Sequence, residues 1–193
     1  MAEEKKSFPY RVGKGNRPKI EEIINYCLDG ELKQSALDFA AWLRNNEMPI
    51  NLHSSTTRGH NARFKGEYIC HILIYGQDDW KHVQMCHPGD PIHWTVTLVL
   101  NHMNEYQDKI KDEGLQINFN DVIWRCTHGS HGNGKGRCDP GKPCAGGRDL
   151  TIFGDGYDGI CMWLWPRIKN PDEAVIKKIK RLLELEKKAR SQL

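Results

Sequence analysis

The chain has 193 residues, 38% of them hydrophobic and 27% charged, a length and composition that suit one soluble domain able to bury its own core. No run approaches the roughly 18 consecutive apolar residues of a membrane span. The 28 basic and 25 acidic residues leave a net charge of +3, too balanced to imply a nucleic-acid partner on its own.

The first residues, MAEEKKSFPYRVGKGNRPK, are charged and lack the apolar core of a secretion signal, so the expected location is the cytoplasm. Residues 1–18 read as a polar arm and 19–193 as a single α+β domain. Apolar residues at 20, 23, 24 and 28 predict a short helix ending near Gly30. A second helix is predicted over Glu31 to Asn46, with a stripe through Leu32, Ala36, Leu37, Phe39, Ala40 and Leu43, stopped by Asn45, Asn46 and Pro49.

A polar loop is expected over His53 to Arg63. Phe64 to Tyr75 and Trp80 to His87 read as two strands of one hairpin across Gly76-Gln77-Asp78-Asp79. Trp94, Val96, Leu98 and Leu100 alternate as in a strand, yet the same segment could run on as a helix to Ile110. Further strands are predicted over Ile117 to Arg125, Leu150 to Phe153 and Ile160 to Trp165. Asn170-Pro171-Asp172-Glu173 predicts the start of a final helix, Asn170 its cap, with Val175, Ile176, Ile179, Leu182 and Leu183 buried. The fold expected is a mostly antiparallel sheet of about four to six strands flanked by N- and C-terminal helices.

Seven Cys and nine His are the unusual feature of the composition. In a reducing compartment, clustered Cys point to metal or redox chemistry ahead of disulfides, and an odd number cannot all pair within one chain. The segment from Cys126 to Arg148 holds seven Gly in 23 residues, two Pro and almost no apolar side chain. Such a stretch cannot bury a core. Cys126, His128, His131, Cys138 and Cys144 lie in it, and Cys161 follows. Thiolate sulfur and imidazole nitrogen are the ligands that tetrahedral zinc prefers, and glycine lets a backbone wind tightly round one point. Zinc is the expected cofactor. No CxxC is present, so the spacing is not that of a zinc finger or ribbon. Four thiolates also suit an iron–sulfur cluster, and a thiol redox pair is a third alternative. The remaining thiols read differently. Cys27 reads as helix core. In the doublets Cys70-His71 and Cys86-His87, neighbours on a strand face opposite sides, so each can offer one group to a site; His71 and Cys86 could share a face. His82, His93 and His102 read as surface residues. Trp80, Trp94, Trp124, Trp163 and Trp165 read as sheet core, with an apolar ligand pocket as the alternative.

The motifs Ala36-Leu37-Asp38-Phe39-Ala40 and Phe64-Lys65-Gly66-Glu67 running to Cys70, together with Cys144-Ala-Gly-Gly, Thr151-Ile152-Phe153-Gly154 and Tyr157-Asp158 running to Cys161, resemble a family of small uncharacterised bacterial proteins. That family's pattern has an ALDFA helix, a YKGE strand with a Cys, and a C-x-PG, TIFG, FD-x-x-C run. The matches extend from about residue 30 to 188. The resemblance implies a bacterial source and a Cys cluster, and no established activity. Cys126 stands at the first position of the family's CxxC. Gly129 stands at the second, and Gly146 replaces the proline of C-x-PG. The implied ligands are Cys126, Cys144 and Cys161, then Cys138, with His131 or His128 as substitutes.

Arg167 to Arg190 carries nine basic and four acidic residues. A basic helix face could meet phosphates. A solvated amphipathic face, acidic at its start and basic later as the helix dipole favours, is the preferred reading. Partners are therefore expected to be a small molecule or a protein, without nucleic acid or membrane. No reaction is legible.

Overall fold

The structure, a computed structural model, describes residues 18–53, 59–75, 91–117, 148–152, 155–160 and 167–192. It is an α+β fold with N- and C-terminal helices on an antiparallel sheet. In chain order the elements are α1 (Ile20–Cys27), α2 (Gly30–Asn45), β1 (Ile50–Leu52), β2 (Gly59–Phe64), β3 (Glu67–Ile74), β4 (Trp94–Leu98), a 3-10 turn (Met103–Tyr106), α3 (Gln107–Asp112), β5 (Arg148–Ile152), β6 (Asp155–Ile160), β7 (Arg167–Lys169) and α4 (Glu173–Ser191). The main sheet has the order β1-β2-β3-β4-β7, and β5-β6 form a separate hairpin.

The helices form where the apolar stripes require them. Ile23, Ile24, Phe39, Ala40 and Leu43 are fully buried, as are Ile179, Leu182 and Leu183 of α4. They pack with Ala62, Cys70, Ile72, Ile74, Trp94, Val96 and Ile168, which define one face of the sheet. Phe39 meets the ring of Trp94 at 6.2 Å. Trp94 is thus core, as read from sequence; the other four tryptophans of that group lie outside the described residues. The end of α2 is set two residues beyond Asn45. Glu47 takes the left-handed conformation (φ 62°), and Met48 N–H donates to the Leu43 carbonyl at 2.9 Å. This closes the helix and buries Met48.

Several expected boundaries move. The stretch read as a loop from His53 to Arg63 contains β2. The strand read from Phe64 to Tyr75 is broken at Lys65-Gly66, which joins β2 to β3 in a two-residue hairpin with Phe64 opposite Glu67. Lys65 (φ 48°) and Gly66 (φ 85°) are both left-handed, the pair of conformations that matches the twist of adjoining strands. Arg63 secures the turn, donating to the Gly66 carbonyl at 3.0 Å and to the Tyr68 hydroxyl at 2.7 Å. The hairpin expected between β3 and Trp80 to His87 finds no free edge, because β2 and β4 flank β3 on its two sides. Residues 80–87 and 118–125 themselves lie outside the described residues.

The segment from Ile92 to Ile110 resolves its two readings in series: β4 first, then the 3-10 turn and α3. Asn170 does not cap the last helix. Asp172 does, its carboxylate accepting from Val175 N–H at 2.8 Å. Asn170 (φ 38°) instead ties β7 to the entry of β4: its Oδ1 accepts from the backbone N–H of His93 and Trp94, and its Nδ2 donates to the Pro91 carbonyl.

A Cβ at Gly66 would meet nothing within 4 Å, so Gly66→Ala isolates the conformational term. It is expected to cost about 1–2 kcal/mol, read as a lower urea midpoint with an unchanged slope.

Candidate functional site

The expected metal ligands Cys126, His128, His131, Cys138, Cys144 and Cys161 all lie outside the described residues. What is described is the frame beside two of them. In the β5-β6 hairpin, Arg148 pairs with Ile160. The chain reaches Arg148 four residues after Cys144 and leaves Ile160 directly into Cys161. Both segments therefore start from the same end of one ladder. Among the described residues no group of three or more His, Cys, Asp or Glu could hold a metal. Cys27 is half-buried and Cys70 buried, neither in a disulfide. Burial pushes the Cys70 thiol pKa well up, so it stays protonated, as befits core. His71 takes the opposite face, as strand alternation requires. His93 is exposed, and His102 lies 3.1 Å from Glu105.

The basic residues of α4 are largely engaged within the fold. Arg181 holds Glu113 with two bonds of 2.6 and 2.7 Å and also meets Glu184. Lys178 donates to the Gln116 carbonyl, Lys187 to that of Asn46, and Lys180 lies over the Trp42 ring. Lys177 and Lys188 are the exposed remainder on this helix. These contacts favour the amphipathic reading over a phosphate-binding face. Among the described residues no helix is long and apolar enough to cross a membrane.

One cluster of titratable groups went unread in the sequence. Glu186 is fully buried on the core side of α4, with Arg190 one turn later. Glu186 Oε1 accepts from Asn101 N–H at 3.1 Å and from Arg190 Nε at 2.7 Å. Its Oε2 accepts from His102 N–H at 3.2 Å and from the Tyr106 hydroxyl at 2.7 Å. The remaining Arg190 nitrogens donate to the carbonyls of Tyr68 and Val99, and Glu67 stands 3.6 Å away. Every oxygen of the carboxylate is satisfied. Burial, followed by the adjacent Glu186 charge, drives the Tyr106 pKa far up. A closed, saturated network with a tyrosine that cannot ionise has no hand free for a substrate. It is a clamp. The signal for it is phase: Glu186 and Arg190 continue the stripe of Ile179, Leu182 and Leu183 at helical spacing.

The sheet face away from the helices carries a second set of polar residues. Register places Asn51, Asn61, His71 and Thr97 in one row across β1 to β4, with Arg167 at the row's position on β7. Gly59, Leu73, Thr95 and Lys169 form the next row. On this face the ring of His53 meets that of His71 edge-on at 5.5 Å. Thr95 is wholly buried and Thr97 4% exposed, and neither hydroxyl has a hydrogen-bond partner. The sequence signal was the alternation Trp94-Thr95-Val96-Thr97-Leu98, which marks two faces but not that the polar one is enclosed.

No family model, curated protein or solved structure matches the chain.

Two outcomes follow from these contacts. Glu186→Gln removes the buried counterion of Arg190, leaving it only the exposed Glu67 carboxylate 3.6 Å away, and is expected to cost about 3–5 kcal/mol. Tyr106→Phe removes one donor to a charged acceptor and costs about 1.5–3 kcal/mol. Chemical denaturation measures both. Separately, the hydrogen bond from Arg181 holds the Glu113 carboxyl pKa below its ordinary value. A lowered folded-state pKa adds stability that is fully present above the unfolded value of about 4.3 and is lost as pH falls through the folded value. Arg181→Met is expected to flatten that part of the stability profile in acid.

Proposed function

We propose that the protein is a metal-binding α+β domain that holds a structural zinc ion through Cys126, Cys138, Cys144 and Cys161, with His131 or His128 able to take the place of Cys138. The observation that carries this reading is the β5-β6 pairing of Arg148 with Ile160. It starts the chain segments bearing Cys144 and Cys161 from one point. The donor set supports it as well: three thiols and two imidazoles within a Gly-rich stretch that lacks the apolar residues to order itself, and a fourth thiol at Cys161 after it. The two described cysteines, Cys27 and Cys70, have packing roles and do not compete for the ion. When bound, zinc would supply cross-linking free energy. A closed set of four protein ligands leaves no position for a reactive water, so the reading is structural rather than catalytic.

Elemental analysis and an absorbance spectrum on protein purified without added metal test this. A colourless protein with about one zinc per chain, lost in Cys144→Ser and in Cys161→Ser, is the expected result. A brown, air-sensitive protein containing iron would replace zinc with an iron–sulfur cluster. Absence of both metals overturns the reading.

A further inference from the structure

We draw no further inference here: the strongest candidate, the pair of half-buried imidazoles His53 and His71 that meet edge-on at 5.5 Å on the sheet face away from the helices, carries nothing, because both rings are already engaged within the protein and among the described residues no third metal-binding side chain joins them.

Discussion

The carboxylate of Glu186 is the point on which the described fold turns. It accepts four hydrogen bonds, from the backbone after β4, from Tyr106 in the 3-10 turn, and from Arg190 on its own helix. Arg190 then reaches the carbonyls of Tyr68 and Val99. The register between β2 and β3 shifts beside Tyr68, where Ala62 faces Cys70 and Arg63 faces Tyr68, so that Ile69 is the extra residue. A bulge disturbs the ladder and frees backbone groups. Arg190 takes up one of these from the helix side. One ion pair therefore fixes the last helix, the bulged strand and the segment after β4 at a single depth. A buried ion pair need not out-stabilise an apolar substitute. Its geometric demand is what matters here, since its partners come from three separate parts of the chain.

With the helices held on one face, the sheet divides its chemistry cleanly. Cys70 and His71 are adjacent in sequence and opposite in environment, the thiol protonated in the core and the imidazole in a polar row. Thr95 and Thr97 alternate with Trp94, Val96 and Leu98 in the same way. Because the pleat has a period of two, one choice of core face places Asn61, His71, Thr95 and Thr97 together on the other, while His60 is turned to the core side. The row of Asn61, His71 and Thr97 is a consequence of register across three strands.

The helices were legible because their apolar stripes have a period that nothing else in the chain imitates. The hairpin at Lys65-Gly66 was not. Lysine carries no turn signal of the kind that Asn or Asp gives, and the branched and aromatic residues on both sides read as one strand. Asn170-Pro171-Asp172 offers two capping side chains in three residues, and the sequence does not say which one closes the helix. Only the position of β4 decides that Asn170 bonds to His93 and Trp94 while Asp172 closes the helix. The engagement of the basic residues of α4 was equally invisible, since Glu113 and the carbonyls of Gln116 and Asn46 are remote in sequence.

Sequence by itself determined the class of fold, the faces of the long helices and the set of thiols and imidazoles available to a metal, because these follow from periodicity and residue chemistry alone. Tertiary structure decided which charges are buried and which hydroxyls are enclosed. Glu186 and Arg190 look like two members of a solvated basic helix until Tyr106, Tyr68 and Val99 arrive from elsewhere in the chain. Thr95 and Thr97 look like ordinary strand residues until the register brings Asn61 and His71 alongside. Burial and pairing are properties of neighbours, and neighbours distant in the chain are assigned only when it folds.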